Sequence, residues 1–120
     1  MPDEVIAVDL NDSVAAKAAE ISARLGVKVH PLIFRDEETS TDVIGFMREP
    51  NRVTKLRVLD KSITVGVFSA SAELYDAVII KEESDSRLFS ELSSDDKLVL
   101  GATMAAYDLI KTSVNQFKKK

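Results

Sequence analysis

Around Pro50 the spacing of apolar residues changes period. Before it, Val43, Ile44, Phe46 and Met47 form a run interrupted only by Gly45, which predicts a strand over Val43–Arg48. After it, Val53, Leu56, Leu59 and Ile63 recur three, three and four residues apart, the spacing of one helix face, and predict a helix to about Lys61. Proline suits the joint as a first-turn residue, because its φ is preset and its missing N–H is an orphan there anyway.

Upstream, Glu4–Leu10 is a short apolar run that fits a strand or an extended arm. Asn11, Asp12 and Ser13 can cap a helix from about Val14 to Leu25, with Gly26 as its stop. Its stripe of Val14, Ala18, Ile21 and Leu25 is narrow and fits either docking on its own domain or an exchanged arm. Val27–Arg35 reads as a strand, placed at an edge or carrying a bulge because Pro31 cannot donate to a ladder. The turn-forming Asp36–Asp42 joins it to Val43–Arg48 as an antiparallel hairpin.

Downstream, Ile63–Phe68 reads as an apolar connection broken by Gly66. A helix capped by Ser69 or Ser71 runs to about Lys81, and Glu82–Ser94 is a polar linker. The last helix, Ser94–Phe117, has Asp95 and Asp96 at its start and Lys118, Lys119 and Lys120 at its end, as the helix dipole favours. Val99, Ala102, Ala106, Leu109, Ile110, Ser113, Val114 and Phe117 line its broad apolar face, and Gly101 and Ala105, with Ala102 and Ala106, leave room for a second helix. The prediction is an α+β fold: an antiparallel β-hairpin, three-stranded if Glu4–Leu10 joins it, packed against three to four α-helices. Residues 1–26 form an N-terminal extension and 27–120 the hairpin-plus-helices domain.

Composition narrows the function classes. A chain of 120 residues, 45% hydrophobic and 30% charged, can bury a core without staples. No run approaches the roughly 18 apolar residues of a membrane span. The acidic start, MPDEVIAV, is unlike a basic secretory signal, so we expect no targeting segment. Absence of cysteine removes disulfides and thiolate metal sites and fits a reducing cytosol. The net charge is −4, yet Val43–Ser62 sums to +3, with five basic side chains against Glu49 and Asp60, leaving −7 elsewhere. One basic segment on an acidic chain argues against general nucleic-acid affinity and permits contact with an acidic partner.

Catalytic chemistry has few candidates. His30, the single histidine, precedes a proline in a strand and reads as structural or surface. One imidazole is too few for zinc, and Gly26, Gly45, Gly66 and Gly101 are too scattered for a phosphate loop. The carboxylates Asp36, Glu37, Glu38 and Asp42 lack the alternation and central glycine of a calcium loop, and read as a solvated hairpin tip. Tyr75 and Tyr107 read as half-buried core. We therefore assign no catalytic residue, no metal and no cofactor. Arg48, Arg52, Lys55, Arg57 and Lys61 serve solvation or internal ion pairs, an acidic protein partner, or nucleic acid, in that order of expectation.

The motifs REPNR (Arg48–Arg52) and LGATMAAYDLIK (Leu100–Lys111) resemble those of small phage proteins of the tail-assembly-chaperone type, over about Val27–Lys120. That resemblance implies a non-enzymatic protein of the host cytoplasm that keeps a long tape-measure protein soluble while a tail tube polymerises. It equally admits a small structural or packaged protein of the virion. Either way the partner is protein, a long helical client or other phage structural proteins, and the chain is a homo-oligomer with no membrane role. The residues we assign to partner contact are Phe46, Arg48, Arg52 and Lys55 at the junction, Phe68 on the connection, and Ala106, Ile110 and Phe117 on the last helix.

Overall fold

The computed structural model describes the backbone of residues 2–118 and the side chains of residues 11–111. Its elements are α1 (Pro2–Leu25), β1 (Val29–Asp36), β2 (Thr41–Arg48), α2 (Arg52–Thr64), α3 (Val67–Val78) and α4 (Asp96–Lys118), with three 3-10 turns between α3 and α4. The fold is α+β. β1 and β2 pair antiparallel, Val29 opposite Arg48 and Asp36 opposite Thr41.

The hairpin is a middle layer. On one face Val29 and Phe46 meet Val14, Ala18 and Ile21 of α1, together with Ile80. On the other, Leu32, Val43 and Met47 join Leu74, Val78, Leu98, Ala102 and Ile110 of α3 and α4. Cover on both faces explains why β2 is apolar nearly throughout and does not alternate. The outer edge of β2 is sealed by Ile79–Asp85: the Ile80 N–H donates to Phe46 O (2.9 Å), the Asp85 N–H to Ile44 O (2.9 Å), and the Phe46 N–H to Ser84 Oγ (3.0 Å). An edge covered in this way offers no template for another strand.

Gly45 sits where β2 passes Leu88, and a Cβ there would overlap Leu88 Cδ1. Leu88 is fully buried, and its carbonyl accepts the Tyr75 hydroxyl at 2.6 Å. Burial pushes that phenol up to about 12. Gly45→Ala should destabilise the fold by about 1–3 kcal/mol through overpacking, read as a lower denaturant midpoint at unchanged slope.

Several expectations are corrected. Glu4–Leu10 is neither strand nor arm but the start of α1, which runs through Asn11, Asp12 and Ser13 without being capped by them, so the sheet has two strands among the described residues. A short apolar run does not distinguish strand from helix. Pro50 is not in the first turn of α2; Asn51 is the N-cap, its Oδ1 accepting the Thr54 N–H at 2.8 Å, which an amide does better than proline. α2 continues to Thr64 and α3 starts at Val67, so the connection shrinks to Val65–Gly66. Ser69 and Ser71 lie inside α3, where the buried Ser71 hydroxyl donates back to Val67 O (2.7 Å), and Gly66 holds the cap position. α3 ends at Val78, because the chain then turns extended to follow the β2 edge. The neighbour at Gly101 is the Phe34 ring, whereas α3 packs on α4 and Ala102 and Ala106 are fully buried in the core that α3 shares.

The hairpin tip is also not simply solvated. Asp36 is nearly buried and accepts the Arg87 guanidinium at 3.2 Å, and Arg87 reaches the Thr41 hydroxyl (2.8 Å) and Asp85 (2.7 Å) as well.

Candidate protein-docking surface

α2 packs chiefly on α3, at the periphery of the domain. Its inward side is the less apolar one: Val58 is buried, and Thr54, Lys55, Leu59, Lys61 and Ser62 are half-buried around it. Ion pairs lie on the same side. Lys55 Nζ lies 2.6 Å from Glu49, whose other oxygen accepts His30 Nε2 at 2.6 Å, and Lys61 Nζ lies 3.0 Å from Glu73 of α3. Burial works to raise the Glu49 carboxyl, but the hydrogen bonds from Lys55 and His30 outweigh it and hold the group below its ordinary value.

With the paired cations turned inward, the apolar stripe faces out. Val53 is 66% exposed, Leu56 56% and Ile63 84%. The stripe runs on into the α2–α3 corner, where Val65 is exposed and Phe68 is 75% exposed. The corner needs Gly66, whose φ of 146° and ψ of 156° lie in a region almost restricted to glycine. Soluble monomers seldom show contiguous apolar patches above a few hundred Å², and larger ones mark interaction sites. Arg48, Arg52 and Arg57 are exposed and make no ion pair among the described residues.

The residues assigned to partner contact separate into groups. Arg48, Arg52 and Phe68 are displayed. Lys55 is committed to Glu49. Phe46, Ala106 and Ile110 are buried, Phe46 beneath α1 and the other two in the main core, so the free surface does not include them. The side chain of Phe117 lies outside the described residues, as do those of Ser113 and Val114. Spacing places Val53, Leu56, Leu59 and Ile63 on one helix face without giving that face a direction; Leu59 is half-buried and the other three are exposed. Asp60, which falls among the exposed three and is a poor core residue, is the local signal for that direction.

Elsewhere, a shallow cleft of about 340 Å³ beside Arg48 is bounded by Glu49, Pro50, Asn51 and Val78. No group of three metal-ligating side chains occurs among the described residues, and none of the described helices is long and apolar enough to cross a membrane. Comparison with protein-family models, curated proteins and solved structures returned no match.

Four carboxyls sit below their ordinary values. Asp36 is held there by Thr39 and backbone N–H groups against the opposing effect of burial, Glu49 as described, Glu83 by Arg24 and Lys17, and Asp85 by Arg87. Each therefore binds its proton less readily in the folded chain, so its contribution is complete above the ordinary values of 4.5 and 3.8 and is lost as pH falls through and below them. Denaturant midpoints should be flat from about pH 7 to 5 and drop steadily below about 4.5.

Proposed function

We propose that this protein is a non-enzymatic binding and assembly factor whose outward α2 stripe and α2–α3 corner dock an amphipathic helix of another protein. The observation that carries the reading is the rotation of α2: Val58 is buried, Lys55 and Lys61 pair with Glu49 and Glu73 on that side, and Val53, Leu56 and Ile63 are left in solvent. A client helix laid along this ridge would bury its own apolar face there, and the unpaired Arg48, Arg52 and Arg57 would favour acidic flanks. With the resemblance carried by REPNR and LGATMAAYDLIK, the specific reading is a phage tail-assembly chaperone acting in the host cytoplasm on a long helical tape-measure protein.

The test is co-expression with a tape-measure protein, the long helical client that the resemblance implies. The account expects the client to be soluble only in the presence of this chain, to co-purify with it, and to leave it behind when particles mature. Its presence in purified particles at fixed stoichiometry would instead make it a structural or packaged component. Arg52→Glu should leave the thermal melt unchanged and weaken client capture; unchanged capture counts against the cationic rim.

A further inference from the structure

The outward seam of α2 has a pattern that a generic client does not explain. Val53, Leu56, Asp60 and Ile63 are spaced three, four and three apart, which is a heptad seam with Val53 and Asp60 at one core position and Leu56 and Ile63 at the other. A carboxylate in such a seam needs a cation facing it. Arg57 follows Leu56 and projects to the same flank as Asp60, by the 100° advance per residue of an α-helix. Both are exposed, and neither makes an ion pair among the described residues.

We infer that the occupant of this seam in the free protein is a second copy of the same chain, docked antiparallel about a two-fold axis at the level of Val58. In that register Val53 faces Ile63 of the second copy and Leu56 faces Asp60. A two-fold axis keeps each flank opposite itself, so Arg57 of each copy lies within one residue of register with Asp60 of the other, giving two reciprocal ion pairs. An unrelated helix would have to supply both a cation against Asp60 and an anion against Arg57, whereas the second copy supplies both by symmetry. A polar residue at one seam position fixes register at a cost in affinity. α2 is only 13 residues long, so the paired area is small and the dimer is reversible. A client helix can then displace the second copy. The pairing rests on the reading of this face of α2 as a docking seam.

Sedimentation of the full chain over a wide concentration range tests it, using Arg57→Asp, Asp60→Arg, the double variant R57D/D60R and an equimolar mixture of the two single variants. Circular dichroism checks that each variant folds, as exposed positions should allow. The wild type should self-associate to a dimer. Each single variant juxtaposes like charges and should dissociate about tenfold more readily or worse. The double variant and the mixture both restore opposite charges and should recover most of the wild-type affinity. A wild type that stays monomeric at every concentration overturns the pairing, and so does a double variant or mixture no better than the single variants. Client capture is scored separately with the unsubstituted protein: its retention by a chain that stays monomeric leaves the function standing without the dimer, and its absence from a chain that does dimerise removes the function and not the dimer.

Discussion

Ile110→Ala is expected to destabilise the protein by about 2–5 kcal/mol, because Ile110 is 1% exposed and its truncation leaves a cavity in the main core. The same chemical change at Ile63 should alter stability by less than about 0.5 kcal/mol when the chain is dilute and monomeric, since that side chain is already in water. Denaturant titrations of the two variants side by side measure the contrast. Equal losses would mean that α2 is rotated the other way, with its apolar stripe inside. The pair separates two roles that sequence spacing alone assigns to both residues.

The second large effect concerns binding. Ile63→Glu combined with Leu56→Glu places two carboxylates in the middle of the exposed stripe. Folding should be intact, because neither side chain contributes to the core and added charge at an exposed position is solvated. Client capture should fall by about 100-fold or more, since the incoming apolar face would bury two unpaired charges. Capture at wild-type strength by this folded double variant would place the client elsewhere on the molecule.

How much of this was readable in advance depended on whether the determining contacts are local. The hairpin was legible because a turn-rich DEETSTD separates two apolar runs, and β1 and β2 fall within two residues of the expected bounds. α4 was legible for the same reason, with acidic residues at one end and lysines at the other. The stop of α1 at Gly26 followed from its positive φ of 74°, and the Gly26 N–H closes on Ser22 O at 2.8 Å. What spacing shows is which residues share a helix face, not where that face points. For α2 the inward side meets Glu49 of the β2–α2 junction and Glu73 of α3, and Val58 packs into the core, all contacts that lie outside the helix itself. The sealing of β2 by Ile79–Asp85 runs through backbone groups and leaves no side-chain period to read. The clamp of Arg87 on Asp36 joins residues 51 positions apart.

For the residues assigned to partner contact, exposure divides in a similar way. That Arg48, Arg52 and Phe68 are displayed was legible because charge at a junction and an apolar residue two positions after Gly66 are local features. Ala106 and Ile110 looked like surplus apolar area only because the area consumed by Leu32, Val43 and Met47 on the hairpin face is a property of the assembled layers.

The chain contains no cysteine, so Ile63→Cys introduces a single thiol on the outer face of α2, and the rate at which it is alkylated reports directly on cover over that face. In dilute, free protein the rate should approach that of an unprotected thiol, and it should fall several-fold once the client complex is formed. A thiol alkylated equally fast in the complex would show that the ridge of α2 stays bare while the protein works, and would contradict the account at its centre.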